Sequence, residues 1–200
     1  MQDRLQPRKA AFYKIHLPQN SNDIHRATTR LKYEEHFFFQ LRLLLNKKER
    51  TLNTRSVVFN NVGDYFNTFY NEHLPFPLTN AQKRVIKEIR SDLKTGFQMN
   101  RLLQGDVGSG KTIVALMVML LALDNGFQAA LMAPTEILAT QHYQTIKKML
   151  GDMKVTVALL TGSTKQKERK NILPALENGD INIVIGTHAL IEETVKFKQL

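Results

Sequence analysis

Eight residues constrain this chain more than any others: Gly105-Asp106-Val107-Gly108-Ser109-Gly110-Lys111-Thr112 satisfy the pattern GxxxxGK[ST] at every fixed position. They lie between a short apolar run, Arg101 to Leu103, and a longer one, Ile113 to Leu123, and so read as a strand-to-helix turn. Glycines let such a backbone curl until successive N–H groups and the helix N-terminus aim at one point, where a side chain would obstruct an approaching phosphate. Gly105, Asp106, Val107, Gly108, Ser109, Gly110, Lys111 and Thr112 are therefore read as nucleotide-binding. Lys111 is the catalytic candidate, reaching the β- and γ-phosphates of ATP, and Thr112 is the candidate Mg²⁺ ligand through its hydroxyl. A glycine-rich turn that binds nothing is the alternative, and the strand–loop–helix context argues against it.

The pattern of the rest of the chain suits that turn. Short apolar runs at Arg101 to Leu103, Ala129 to Ala133, Val155 to Leu160 and Ile181 to Ile185 alternate with helical stretches near 111–124, 136–149 and 164–177. Strands alternating with helices imply βαβ units and a parallel sheet, hence an α/β fold. Upstream, Leu74-Pro75-Phe76-Pro77-Leu78 cannot be regular structure, because alternate prolines remove donors and hold their neighbours extended, so it is read as a boundary. Thr79 to Gln82 has capping-box spacing for a helix that Gly96 can end. Residues 1–74 form a mainly helical front segment on this reading. Ile24, Ala27, Leu31, Phe38, Leu41 and Leu45 make one stripe of a helix opening near Ser21 to Asp23. Val57 to Phe59 is compatible with a short strand, and Tyr65, Phe66, Phe69 and Tyr70 with a helical turn or two.

Composition narrows the function classes. The chain has no cysteine, which excludes disulfides, thiolate zinc sites and cysteine nucleophiles and suits a reducing cytoplasm. Its longest apolar run is about half of the ~20 residues that cross a bilayer, and Met1 to Lys9 is too polar for a signal peptide, so no membrane association is expected. The net charge of +10 favours a polyanionic partner, and +6 of it falls within residues 1–50, where a solvated cationic helix face is the competing explanation.

A phosphate loop alone does not choose among kinases, GTPases, transporters and motors. Pro134-Thr135, Thr161-Gly162 and Gly186-Thr187 each follow an expected strand and precede an expected helix, which places all three on the carboxyl edge of the sheet with the phosphate loop. There a threonine can cap its helix, or offer its hydroxyl and nearby amides to a nucleic-acid phosphate.

The sequences GDVGSGKT at 105–112, APTEILATQHY at 133–143, LLTGS at 159–163 and GTHALI at 186–191 resemble successive motifs of superfamily 2 helicases, and most resemble the RecG family. IHLP at 15–18 and RLKYEEHFFFQL at 30–41 are similar to the segment that joins that family's DNA-binding wedge to its motor. The resemblance implies a RecA-like P-loop motor domain over residues 75–200, incomplete and preceded by a linker, and a monomeric ATP- and Mg²⁺-dependent motor acting on branched DNA such as forks or Holliday junctions. It also implies that Gln82 reads adenine, where the capping-box spacing offers a purely structural job, and that Pro134, Thr135, Thr161, Gly162, Thr187 and His188 contact DNA. His188 taken alone is an ordinary surface histidine. The transcription-repair coupling translocases are a sister family, and a nucleotide-binding module that never hydrolyses is an alternative from another class.

One departure stands out. The family pattern has an apolar strand ending in Asp-Glu, which holds Mg²⁺ and positions water, whereas the adjacent acid pairs here are Glu34-Glu35 and Glu192-Glu193, neither at the end of an apolar strand. With no second motor domain and no wedge in the chain, the expectation is a piece of a longer protein that binds nucleotide without turning it over.

Overall fold

The computed structural model describes residues 5–53 and 55–200. Residues 1–4 and 54 of the expected front segment lie outside these. The chain divides into two compact units, residues 1–55 and 56–200.

In the first unit, α1 (Arg8–His16) packs on α2 (Ser21–Asn53). The side chain of Asn20 accepts the Asp23 N–H at 3.0 Å and opens α2 where the sequence places it. Ala11 and Ala27 are fully buried, and their small side chains let the two helices approach. Lys14 meets Asp23 at 2.5 Å and holds its carboxyl below the usual carboxylate range, while Glu34 pairs with Arg8 at 2.9 Å and Arg30 at 2.8 Å. At about 1.5 Å per residue, α1 spans only a fraction of the length of α2. Phe38, Leu41 and Leu45 of the apolar stripe, beyond the Arg8–Glu34 pair, accordingly stay exposed, and Ile24 is exposed as well.

The second unit is built around α5 (Lys111–Asp124), which is apolar on all sides and buries Ile113, Val114, Leu116, Met117, Met119, Leu120, Leu121 and Leu123. Beside it runs a parallel sheet of order β1-β3-β2, comprising β1 (Ala129–Met132), β2 (Val157–Leu160) and β3 (Ile183–Gly186). Crossovers α6 (Glu136–Leu150) and α7 (Gln166–Asn178) follow β1 and β2. In β3 every residue is buried, as expected of a central parallel strand. Gly186 is there for space: a Cβ would lie 1.9 Å from the Leu160 carbonyl oxygen. At the opposite edge Gln128, buried, donates to the Leu176 and Ile181 carbonyls and accepts the Lys198 and Gln199 N–H groups, which fastens the last residues to the sheet.

The compact units meet at 55/56, ahead of the boundary read from the sequence at 74/75, because residues 61–73 are bound to α5. The Asp124 carboxylate accepts the Tyr65 and Phe66 N–H groups at the start of α3 (Asp64–Thr68), Asn125 exchanges hydrogen bonds with Asn61, and Phe69, opening the π-helical turn Phe69–His73, is fully buried in the core. Val57 to Phe59 forms no strand; instead the Ser56 and Phe59 N–H groups bond to Gly96 and Leu93 at the end of α4 (Asn80–Leu93). Residues 101–103 are likewise irregular. A strand exists only where a neighbour pairs with it, and Arg101 is held by Glu88 and Asp92 of α4.

Candidate nucleotide site and loop row

The phosphate loop enters α5 through two glycines in the left-handed region, Gly108 at φ +80° and Gly110 at φ +79°. Gly110 is the N-cap of the helix, so the N–H groups of the first turn, where Lys111 and Thr112 lie, have no acceptor within it. The Lys111 ammonium turns into the loop and donates to the Gly105 and Asp106 carbonyls at 2.7 Å each. Around it the Ser109 N–H closes on the Asp106 carbonyl at 3.2 Å, and Val107 is fully exposed at the tip. Gly108 needs glycine for its left-handed φ and not for space, since nothing lies within 4 Å of a Cβ built there, and the Lys111 ammonium folds back on the loop's own carbonyls. The free N–H groups of the first turn and this cation suit a polyphosphate. One hydroxyl, that of Thr112, suits a Mg²⁺ ion that keeps most of its ligands as phosphate oxygens and water. Among the described residues no cluster of three His, Cys, Asp or Glu side chains could hold a metal by itself.

Both readings of Gln82 meet in its geometry. The capping box is complete: Thr79 Oγ1 accepts the Gln82 N–H at 3.2 Å and Gln82 Oε1 accepts the Thr79 N–H at 2.8 Å. The remaining amide nitrogen donates to the Ser109 carbonyl at 2.9 Å. Buried and bonded at both ends of its amide, Gln82 ties the start of α4 to the phosphate loop. Next to the loop, Gly110 and Thr112 share a cleft of 640 Å³ with His73, Phe76, Thr145 and Lys148.

The sheet register brings the other three motifs together. Met132 and Leu160 both pair with Gly186, so Pro134-Thr135, Thr161-Gly162 and Thr187-His188 leave the sheet side by side. Gly110 and Thr112 line their cleft together with Thr145 and Lys148 of α6, the helix whose first residue, Glu136, follows Thr135 of the row. Within the row, only Thr135 caps a helix through its side chain, accepting the Leu138 N–H at 3.3 Å. Pro134, Thr135, Gly162 and His188 are exposed, but Thr161 and Thr187 are buried, which corrects the expectation that their side chains face an external strand. The Thr187 hydroxyl has no hydrogen-bond partner, while that of Thr161 is spent on Ser163 and Thr164.

The sequence reading gave Glu136 no role in the site. Its carboxylate accepts the Ser163 hydroxyl at 2.7 Å and the Ser163 N–H at 2.9 Å, which together hold it below the usual carboxylate range. The two acid pairs weighed earlier have structural employment: Glu34 in its arginine pairs, and Glu192 with Arg169.

The profile of the DEAD/DEAH box helicases matches residues 79–200, more than half of the chain and all of the elements just described from α4 onward. The chain belongs to that family. Its sheet and crossover helices are therefore those of a RecA-like α/β motor domain. Among its relatives, the ATP-dependent DNA helicase RecG of Synechocystis is 45% identical over 192 residues, covering 96% of this chain and 23% of that protein. RecG of Aquifex aeolicus is 50% identical over 171 residues, covering 86% of this chain and 21% of that one. A structure of RecG bound to a three-way DNA junction superposes with a TM-score of 0.82 at 45% identity, over 95% of this chain and 26% of that one. The chain thus spans about a quarter of the length of these relatives.

Proposed function

We propose that this chain is the nucleotide-binding part of an ATP-driven DNA helicase or translocase that acts on branched DNA, forks or Holliday junctions, as a monomeric motor. The observation that carries it is the phosphate loop on the N-terminus of α5, with Gly108 and Gly110 in the left-handed region and Lys111 turned inward. Similarity to helicases named RecG, one of them solved on a three-way junction, supports branched DNA as the substrate class.

In this reading the loop amides take the β-phosphate and Lys111 exchanges its loop carbonyls for phosphate oxygens. Thr112 supplies one ligand to Mg²⁺, and the metal, when bound, neutralises charge on the transferred phosphoryl group. Gln82 holds the loop in shape from α4, and the cleft beside Phe76 takes the base. Exposed backbone at Pro134, Thr135, Gly162 and His188 meets the sugar-phosphate chain, which carries no sequence information.

A labelled forked duplex titrated at about 50 and 200 mM salt tests the DNA half, because binding through phosphates weakens steeply over that interval. Affinity that ignores salt, or that depends strongly on base sequence, refutes it.

A further inference from the structure

The Glu136 contact joins segments 27 positions apart in sequence. Glu136 opens α6 after β1, and Ser163 lies in the turn after β2, yet β1 and β2 are not neighbours, since β3 separates them. The carboxylate therefore reaches across the exit of the middle strand, where Thr187 is buried. The turn it grips is already ordered. Thr161 donates its N–H to Thr164 Oγ1 at 2.8 Å, the Thr164 N–H returns to the Thr161 carbonyl at 3.2 Å, and the Thr161 and Ser163 hydroxyls meet at 3.1 Å. Gly162 lies directly under the carboxylate: a Cβ there would come 3.4 Å from Glu136 Oε1.

Two simpler roles fall short of this geometry. A carboxylate in the first turn of a helix is favoured by the helix dipole, but that needs no contact with Ser163. An acid beside a row of phosphate-facing loops repels the strand, and on that ground alone its removal would strengthen binding.

We propose that Glu136 is a positioning residue: its carboxylate clasps the 161–164 turn to the start of α6, fixing the spacing at which the two outer loops present their exposed backbone to one nucleic-acid strand. The inference rests on the nucleic-acid reading given above. Without the clasp the turn and the helix start move independently, and the strand must order them on binding.

The test uses the full 200-residue chain and a fluorescein-labelled oligo(dT) of about 20 nucleotides, followed by anisotropy at about 50 and 200 mM salt. Glu136→Ala should weaken binding on the order of three- to tenfold at both salt concentrations, from the loss of two exposed hydrogen bonds, although it removes a negative charge. Glu136→Gln keeps an acceptor for the Ser163 N–H and gains a donor for its hydroxyl, so it should restore binding close to that of the parent. Ser163→Ala should fall between, and adding it to Glu136→Ala should cost less than it does alone, since only the Ser163–Thr161 hydroxyl contact is then left to lose. Far-UV circular dichroism establishes that each variant is folded. Binding by Glu136→Ala as tight as the parent or tighter overturns the proposal, and so does a Glu136→Gln variant that loses as much as the alanine. A parent chain that fails to bind the oligonucleotide overturns the nucleic-acid reading, and the clasp's role with it, before any substitution is made.

Discussion

Replacing Gln82 by alanine separates two jobs that the sequence leaves open. The substitution removes the Oε1 bond from the Thr79 N–H and the Nε2 bond to the Ser109 carbonyl, while the bond from its own N–H to Thr79 Oγ1 survives. The first loss is half of a capping box and costs about 1 kcal/mol. The second is one part-buried hydrogen bond whose carbonyl, on an exposed residue, water can reach; it costs roughly 0.5–1.5 kcal/mol. Together they come to about 2 kcal/mol, which for a domain of this size lowers the midpoint of thermal unfolding by ~4–8 °C. The Ser109 carbonyl is next to Gly110, so the loop loses its brace at the point where it turns into α5. ATP and inorganic triphosphate should then weaken together, on the order of three- to tenfold each. Calorimetric titration of both ligands against parent and variant reads this directly. A variant that binds triphosphate as the parent does but loses ATP would refute the reasoning and assign the amide to adenine.

Two further outcomes follow from single contacts. Gly186→Ala drives a Cβ against the Leu160 carbonyl and should destabilise the chain by about 1–3 kcal/mol or more, measured by urea unfolding; a neutral effect would mean that β2 and β3 are not paired in this register. Asp124→Ala leaves the Tyr65 and Phe66 N–H groups without their acceptor and should speed amide exchange at 61–68 before it affects the sheet; unchanged exchange there would refute the attachment of this segment to α5.

Much of the second unit was legible because its signals are local. Thr79 and Gln82 sit three apart and build the box that opens α4, and the apolar run from Ile113 to Leu123 becomes the buried α5 beginning at Lys111. The three strands and their parallel pairing follow from alternating apolar runs, with ends shifted by one or two residues. What escaped depends on partners distant in sequence. Arg101 to Leu103 is apolar enough for a strand, but pairing is a property of the neighbour, and the neighbour is absent from the sheet formed here. Asp124, Gln128 and Glu136 are unremarkable in sequence, and each acquires its role from groups 27 to 71 positions away. Thr161 and Thr187 look alike as strand-end threonines, yet burial turns one inward to its own turn and leaves the other's hydroxyl unpaired.

Whether the loop at 105–112 is a phosphate cradle is tested most directly by calorimetric titration of Mg²⁺-ATP into the parent chain and into Lys111→Ala. The substitution leaves the glycine curl and the helix N-terminus in place and removes the ammonium that lies at 2.7 Å from the Gly105 and Asp106 carbonyls. The parent should bind, and the folded variant should show no measurable heat. Undiminished affinity in a Lys111→Ala chain with the parent's circular dichroism spectrum would contradict the assignment.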